Sequence, residues 1–324
     1  MFQDLRPEAV HAAAERIAGH AVRTPLLKSE PLSRVAGGDV YLKLENRQVT
    51  GSFKLRGALN ALATLPAEAQ RRGVVASSAG NHGLGVAYAA KALGIAATIF
   101  VPSSAPGVKK SGIRALGATL DDAQPDYDAA MAAAKAHGRA HGLTFINPCL
   151  GDMLLAGQGT VALEIRQELP GLRALAVPVG GGGLLGGCAS LLRREAPGVR
   201  IIGAQSDQTA AMARSLAAGR VVEIPVTPTL ADGLAGQIDD EALDIGRHAL
   251  DDIVLLTEEE IGRAIAWLQT IHDLKVEGAG AVAVGAVLFG KTPLAFPAAL
   301  VVSGGNIDDA RWRALLERYS SSTP

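Results

Sequence analysis

Cysteine is scarce in this chain of 324 residues, which contains only Cys149 and Cys188. Two cysteines in apolar surroundings provide no disulfide framework, and no cysteine or histidine has the paired spacing of a zinc site. The formal net charge is −1, which argues against nucleic acid or an anionic membrane as a partner. No run of about 18 apolar residues offers a membrane span, and the first residues lack the apolar core of a signal peptide. We therefore expect a cytoplasmic protein.

Apolar residues, in contrast, are plentiful: they make up 48% of the chain, enough for a large α/β core. Short β-type runs alternate along the chain with helical patterns. This alternation is typical of parallel sheets with helices on both faces. The predicted strands are 40–44, 74–77, 97–101, 144–146, 175–177, 200–204, 253–256 and 298–303, and the predicted helices include 81–93, 127–141, 184–195 and 308–318.

Lys54 places a charge where the helical pattern is otherwise apolar. On a helix of 3.6 residues per turn it lines up with Ala58, Ala61 and Leu65, a stripe that should face inward. Burial disfavours the ammonium form of a lysine, which frees the amine to form a Schiff base and to move a proton. The alternative is a side chain that reaches water from the edge of the stripe, which is the more common situation for a lone lysine.

Four consecutive glycines, Gly180, Gly181, Gly182 and Gly183, lie between a strand-like run and the helical pattern that begins at Leu184. Glycine lets successive backbone N–H groups turn toward one point at the positive end of a helix dipole, which is how proteins hold phosphate. The segment is neither a P-loop nor a dinucleotide fingerprint, because the spacing of both motifs is absent. A flexible turn is the alternative, but a plain turn seldom needs such a run.

Two further segments place polar groups at the ends of predicted strands. Ser77-Ser78-Ala79-Gly80-Asn81-His82-Gly83 leads into a helix start, where hydroxyl, amide and N–H groups suit a small carboxylate or another anion. Another strand ends at Ser303-Gly304-Gly305-Asn306, and ligands of open α/β sheets bind at such strand ends. Ordinary helix caps and turns are the alternatives for each segment alone. Together with the lysine and the four glycines, the segments describe a pocket for pyridoxal phosphate.

The sequence resembles the fold-type II pyridoxal phosphate enzymes, and within them the serine/threonine dehydratase and serine racemase group. The resemblance covers nearly the whole chain, and motifs of this number in this order are highly specific. They are Arg23-Thr24-Pro25-Leu26-Leu27, Tyr41-Leu42-Lys43-Leu44-Glu45-Asn46, Ser52-Phe53-Lys54, Ala156-Gly157-Gln158-Gly159-Thr160, the four glycines, Ala231-Asp232-Gly233, Glu277-Gly278-Ala279-Gly280 and Ser303-Gly304-Gly305-Asn306.

The resemblance implies a tryptophan synthase β-like α/β fold with two open parallel-sheet domains and flanking helices. A small mobile domain of residues 48–148 would be inserted in a large cofactor-binding domain of residues 1–47 and 149–324. Substrate would bind between the two, so that domain closure accompanies binding. The chain ends soon after Ser303, so we expect no C-terminal regulatory domain and no feedback by isoleucine. A homodimer or homotetramer is the expected assembly.

The resemblance also assigns roles to individual residues around pyridoxal 5′-phosphate. Lys54 would form the Schiff base, Phe53 would pack beside the pyridine ring and Ser303 would face the ring nitrogen. Asn81 would hydrogen-bond the ring hydroxyl, and Glu277 would line the pocket. The phosphate would be held by Gly180, Gly181, Gly182, Gly183 and the N–H of Leu184, and the substrate carboxylate would be received by Ser78, Asn81 and His82.

The implied reaction is an α,β-elimination. Lys54 takes the Cα proton, the β-hydroxyl leaves, and the released enamine hydrolyses to a 2-oxo acid and ammonia. L-Threonine is the first choice of substrate and L-serine the second. Another β-hydroxy amino acid such as threo-3-hydroxyaspartate stays open, because residues 147–152 depart from the acidic-proline loop usual in this group.

Two departures from the family pattern bear on a racemase alternative. Serine racemases of this group carry a second serine at the position of Ala79, where it can protonate the opposite face of the substrate carbanion. They also bind a divalent cation through a glutamate at the position of Gln205, and Thr209 and Ala211 offer no carboxylate in its place. We therefore expect a dehydratase without that metal site. A non-enzymatic sensor of nucleotide or pyridoxal phosphate is the remaining alternative.

Overall fold

The computed structural model describes residues 4–78, 80–105, 107–225 and 227–319, without the side chain of Val108. The strands are β1 (Leu26–Lys28), β2 (Val40–Leu44), β3 (Val74–Ser77), β4 (Ala97–Pro102), β5 (Thr119–Gln124), β6 (Thr144–Phe145), β7 (Ala174–Pro178), β8 (Arg200–Ser206), β9 (Asp252–Leu256) and β10 (Ala298–Val302). The helices are α1 (Pro7–Ile17), α2 (Glu30–Ala36), α3 (Lys54–Ala63), α4 (Ala67–Arg72), α5 (Asn81–Leu93), α6 (Gly107–Ala115), α7 (Tyr127–His141), α8 (Asp152–Glu168), α9 (Gly183–Glu195), α10 (Ala211–Ala218), α11 (Asp240–Ala249), α12 (Glu258–His272), α13 (Gly278–Leu288) and α14 (Asp309–Tyr319).

The larger sheet has six strands in the order β1-β2-β10-β7-β8-β9. Strand β1 runs antiparallel to β2, and the other neighbours are parallel. The central strands are apolar on both sides, as β7 and β10 illustrate with every residue buried. One face packs against a core that includes residues of α8, α9 and α11, and the opposite face against residues of α12 and α13. Helices on both faces are what a parallel sheet requires.

The smaller sheet has four parallel strands in the order β5-β4-β3-β6. Its core contains apolar residues of α3 and α5, and a small separate cluster joins α7 to the strands β3 and β4. The carboxyl end of β3 leads directly toward α5, and the carboxyl end of β10 in the larger sheet leads toward residue 303. Both sheets therefore deliver a strand end to the polar segments that the sequence singles out.

The predicted α/β fold is confirmed: all eight predicted strands are present, and α5 and α7 have the predicted bounds. Two strands are not predicted by the sequence pattern. Thr119–Gln124 is a polar edge strand that contains two aspartates, so it lacks the apolar alternation of a strand. Leu26–Lys28 has only three residues, too few to show a period. In the described part of the chain, no helix combines the length and apolar composition that a membrane span needs.

Candidate active site

Lys54 is the first residue of α3 and is half-buried. Its Nζ donates a hydrogen bond of 2.6 Å to the carbonyl oxygen of Pro148 and lies 3.9 Å from Cys149 Sγ. The aromatic ring of Phe53 lies beside the amine, with its centroid 5.4 Å away. The prediction that Lys54 lies within the buried stripe of the helix is wrong. The buried apolar residues of α3 are Leu55, Ala58, Leu59 and Leu62, whereas Lys54 and Ala61 are half-buried, as is Leu65 beyond the end of the helix.

The four glycines connect β7 to the start of α9, and the space for a side chain is smallest at Gly181 and Gly183. A Cβ atom at Gly181 would lie 2.6 Å from Cys149 Sγ, and one at Gly183 would lie 2.8 Å from the carbonyl oxygen of Cys149. Gly182 has φ +85°, a left-handed conformation that favours glycine. A Cβ at Gly180 would approach Leu234 Cα to 3.1 Å.

The start of α9 suits an anion. Its N-cap residue, Gly182, has no side chain that could bond the first N–H groups of the helix. Leu184 is buried in the first helical turn, where the N–H groups point out of the helix end and the dipole favours negative charge. The residues present therefore fit a phosphate group.

Ser303 follows β10 and is buried, and its hydroxyl donates to the carbonyl oxygen of Ala279 over 3.3 Å. The same residue is tied to the lysine segment, because the N–H of Phe53 donates to its carbonyl oxygen over 3.1 Å. Ser52 and Gly304 form an isolated antiparallel bridge alongside. The end of the larger sheet and the start of α3 are thus joined directly.

Asn81, at the start of α5, connects the smaller sheet to residues of the larger one. Its amide donates a hydrogen bond of 2.6 Å to Glu277 Oε1 and accepts one of 2.7 Å from Asn306 Nδ2. Glu277 precedes α13 and is buried. Burial, aided by the negative charge of Asp232, raises the pKa of Glu277 to about 7, against the opposing hydrogen bond from Asn81. Near neutral pH this carboxyl group therefore exchanges protons.

His82 has a neutral ring. Burial and the nearby charge of Lys54 lower its pKa to about 3. Nε2 lies 3.0 Å from the carbonyl oxygen of Ile146, which can only accept, so this nitrogen carries the proton and donates. Nδ1 is buried and has no hydrogen-bond partner among the residues that the structure describes. The ring thus presents an acceptor, not a positive charge.

Ser78 forms the turn before α5, where its hydroxyl accepts from the N–H of Gly80 over 3.1 Å. Its neighbour Ser77 is buried, and the hydroxyl of Ser77 finds no partner within the described part of the chain. Ala79, the residue on which the distinction from a racemase depends, lies outside the described residues.

Cys149 is the site residue that sequence reasoning missed. It is half-buried between the Lys54 amine and Gly181, although its surroundings in the sequence look apolar. Asn147 holds the turn in place, because its Oδ1 accepts from the N–H groups of Cys149 and Leu150. The unusual segment of residues 147–152 is the available signal, since it departs from the family pattern close to the site.

Gln205 is fully buried and uses both ends of its amide internally. Nε2 donates to the carbonyl oxygen of Val179, directly before the glycine turn, and Oε1 accepts from the N–H of Ala213 in α10, each over 3.0 Å. Among the residues that the structure describes, no three histidine, cysteine, aspartate or glutamate side chains are grouped as ligands of a metal ion.

The Lys54 amine thus lies close to the start of α9, which suits an anion, and its helix is joined to the segment of the buried Ser303 hydroxyl. The titratable carboxyl group of Glu277 belongs to the same site. Such an arrangement suits a phosphorylated carbonyl cofactor that joins to lysine. The model of the pyridoxal-phosphate dependent enzyme family matches residues 17–304. The chain belongs to this family.

Curated relatives and solved structures agree with that assignment. Over 311 residues the chain is 41% identical to the L-threonine ammonia-lyase of Geobacter sulfurreducens, a match that covers 95% of this chain and 77% of that protein. The structure of maize serine racemase superposes with a TM-score of 0.91 at 30% identity, over 98% of each chain. The processed form of threonine deaminase isoform 2 from Solanum lycopersicum gives a TM-score of 0.87 at 31% identity, over 96% of this chain and 93% of that one.

Proposed function

We propose that this protein is a pyridoxal phosphate-dependent ammonia-lyase that converts L-threonine, and secondarily L-serine, to 2-oxobutyrate or pyruvate plus ammonia. The observation that carries the proposal is the short distance between the Lys54 amine and the glycine turn, because Cys149 contacts both the amine and Gly181. Relatives at 38–44% identity are named L-threonine ammonia-lyase or L-threonine dehydratase, which supports threonine as the substrate.

Bound pyridoxal phosphate withdraws electrons from the Cα of an attached amino acid, which makes the Cα proton removable. We assign the phosphate to the N–H groups of the turn Gly180–Gly183 and of Leu184. The ring would lie beside Phe53, between Asn81 and the hydroxyl of Ser303. The groups assigned to the ring belong to segments that are joined by hydrogen bonds, from Phe53 to Ser303 and from Asn81 to Glu277.

The Lys54 amine is the base that takes the Cα proton in this assignment. Among the described residues, the hydrogen-bonding groups beside it are the carbonyl oxygen of Pro148 and the thiol of Cys149. The hydrogen bond to the carbonyl oxygen of Pro148 fixes the direction of the amine, and the amine acts as a base in its uncharged form. Lys54 is therefore positioned to exchange protons with a bound substrate.

On the substrate side, we propose that Ser78 and Asn81 receive the substrate carboxylate at the start of α5, with Glu277 lining the same pocket. His82 contributes the acceptor nitrogen Nδ1, because its ring is neutral. An acceptor there favours a hydroxyl or ammonium donor of the ligand over its carboxylate. The carboxylate is then left to the N–H groups and hydroxyl of the helix start.

A panel of L-threonine, L-serine, threo-3-hydroxyaspartate and D-serine tests the proposal, with 2-oxo acid and product chirality read together. Oxobutyrate from L-threonine without D-amino acid supports the ammonia-lyase. D-Serine as the main product from L-serine would overturn it in favour of a racemase, and absence of both a visible cofactor band and turnover would favour a sensor. A cytoplasmic location and a homodimeric or homotetrameric assembly are further parts of the proposal, the second testable by light scattering.

A further inference from the structure

Four charged side chains with little exposure are paired with one another beside the first turn of α3, the helix that begins at Lys54. They are Lys43, Glu45, Arg56 and Glu164, here called the buried ion network. The side chains of Lys43, Glu45 and Arg56 are at most 1% exposed, and that of Glu164 is 13% exposed. None of the four has a part in the proposed reaction.

The guanidinium of Arg56 is the centre of the network. It donates two hydrogen bonds of 2.8 Å to the carboxylate of Glu45, from Nε and Nη2. It donates two further hydrogen bonds to the carboxylate of Glu164, of 2.7 Å from Nη1 and 2.9 Å from Nη2. Lys43 completes the network, because its Nζ donates to Glu164 over 2.6 Å and to the carbonyl oxygen of Thr24 over 2.7 Å. Two positive and two negative charges balance.

Stability alone does not explain such a network. Burying four charges carries a desolvation cost that their attraction only offsets when the geometry is good, and apolar replacements of similar volume are often as stable. Two-pronged bonds from a planar guanidinium do, however, fix the relative orientation of the groups they join. The feature that distinguishes this network from an apolar core is therefore the geometry that it enforces.

The network joins three elements at the start of α3. Arg56 lies two residues after Lys54, in the first turn of that helix. Lys43 belongs to β2 and Glu45 directly follows it, so both belong with the larger sheet. Glu164 lies on α8, the helix that follows the Pro148–Cys149 turn. The residues that hold Arg56 are thus continuous with the residues that contact the Lys54 amine.

Close backbone approach adds to this attachment. A Cβ at Gly57 would lie 2.3 Å from Gln158 Nε2, and one at Gly157 would lie 2.4 Å from the carbonyl oxygen of Arg56. The N–H of Gly57 donates to Gln158 Oε1 over 3.2 Å. The first turn of α3 and the middle of α8 are therefore in direct contact where Arg56 enters the network.

We infer that the buried ion network holds the first turn of α3 in the orientation that places the Lys54 amine against the Pro148–Cys149 turn, and that its members are positioning residues for Lys54. This inference rests on the proposed function, in which Lys54 is the reacting amine. A displacement of the amine by about 1 Å would slow its reactions by about 10²-fold.

The test compares the wild-type protein with Arg56→Lys, which keeps the positive charge but cannot form the paired hydrogen bonds to Glu45 and Glu164. The readout is the rate at which pyridoxal phosphate attaches to Lys54, trapped with borohydride and located by peptide mass. This rate does not depend on which substrate is used. We expect attachment to slow by about 10²-fold, and kcat for L-threonine to fall far more than KM changes.

A second variant separates positioning from folding. Lys43→Met combined with Glu164→Gln removes one charge of each sign, leaves Arg56 paired with Glu45, and should keep a melting temperature near that of the wild type. We expect attachment to Lys54 to slow in this variant also. Arg72→Lys is the matched control, since Arg72 forms an exposed pair with Glu68 on α4.

Wild-type attachment rates in the folded double variant would overturn the inference, as would a rate loss in Arg56→Lys that is fully explained by its unfolded fraction. Failure of the proposed function would look different. The wild-type protein would then attach pyridoxal phosphate at Lys54 but release no 2-oxo acid, and the comparison of attachment rates would still decide the role of the network.

Discussion

Glu277 shows how burial sets the chemistry of a single residue in this site. Its carboxyl group accepts a hydrogen bond from Asn81, but water is excluded and Asp232 adds a negative charge, so its pKa rises to about 7. The pKa of His82 shifts in the opposite direction: burial and the charge of Lys54 lower it, so the ring stays neutral. Two titratable groups close to one lysine thus have their charged forms suppressed by the same physical cause.

The raised pKa of Glu277 predicts a specific dependence of stability on pH. Since the folded-state pKa of about 7 lies above the ordinary value of 4.5, the folded protein binds this proton more tightly. The contribution to stability is full below about pH 4.5 and is lost as pH rises to about 7, a change of about 3 kcal/mol. Urea unfolding of the wild type and Glu277→Gln across this range measures it.

Glu277→Gln should flatten the decline in the free energy of unfolding between about pH 4.5 and 7 relative to the wild type. Glu259→Gln, at an exposed position in the first turn of α12, should not. Parallel pH curves for the wild type and Glu277→Gln would show that the carboxyl group titrates normally.

The two cysteines should differ in reactivity. Cys188 is fully buried, and burial raises the pKa of its thiol to about 12, which makes it a poor nucleophile. Cys149 is half-buried beside Lys54 and the glycine turn. We expect iodoacetamide to modify Cys149 in the native protein, with loss of cofactor binding, and to leave Cys188 intact. Peptide mass spectrometry locates the label.

Cys149→Ser provides the control for this labelling, since it should remain unmodified and keep cofactor binding during the same treatment. Labelling of Cys188 before Cys149, or full cofactor binding after modification of Cys149, would contradict the described position of the thiol.

At the scale of secondary-structure elements, the turn between β7 and α9 is the part of the site whose geometry depends most directly on glycine. The turn passes so close to Cys149 that a single methyl group at Gly181 would overlap the sulfur. Relief of such overlap requires the turn or its neighbour to move. Because the N–H groups that would bind phosphate belong to this turn, their directions would change with it.

Gly181→Ala is therefore expected to weaken pyridoxal phosphate binding. Overpacking of this kind costs about 1–3 kcal/mol, which corresponds to a rise in Kd of about 5- to 150-fold if the cost falls on the cofactor-bound state. Gly198→Ala is the matched control, because a Cβ at Gly198 meets nothing within 4 Å. Titration of the cofactor-free protein with pyridoxal phosphate, followed by absorbance, measures both. If Gly181→Ala and the wild type bound pyridoxal phosphate with equal affinity, the assignment of the phosphate to this turn would be wrong.

The elements that the sequence predicts are those whose pattern is local. The strand Val74–Ser77 is a short apolar run with every residue buried, and the helix Asn81–Leu93 is mostly apolar after its polar first residues Asn81 and His82. The strand Thr119–Gln124 could not be predicted, because it is held by pairing with β4 at the sheet edge and not by burial of its own side chains. The sequence pattern predicts a buried Lys54, but the helix begins at this residue and the lysine is half-buried, whereas Ala58 of the predicted stripe is buried.

At the scale of the whole molecule, the candidate site lies where residues of the two sheets meet. Asn81 follows the smaller sheet, whereas Glu277 and Asn306 belong with the larger one, and the three are joined by hydrogen bonds. The sequence predicts which residues take part through their resemblance to a family. It could not predict their partners, because the contacts of Cys149 and the pairing of Arg56 with Glu45 and Glu164 join residues distant in the chain.

The division into a small domain of residues 48–148 and a large domain made of the remainder stays a prediction about motion. The four strands of the smaller sheet all come from residues 74–145, which is compatible with such a division. Closure on binding would break or remake the hydrogen bonds between Asn81 and its two partners.

The most direct test of the central claim is turnover of L-threonine by the purified protein with pyridoxal phosphate, compared with Lys54→Ala and with Lys91→Ala, an exposed lysine of α5. We predict that the wild type and Lys91→Ala have the same kcat and release one ammonia for each 2-oxobutyrate. Lys54→Ala should lose the visible cofactor band, and its kcat should fall by about 10³-fold or more. Elimination that persists in Lys54→Ala would contradict the assignment of this lysine as the reacting amine.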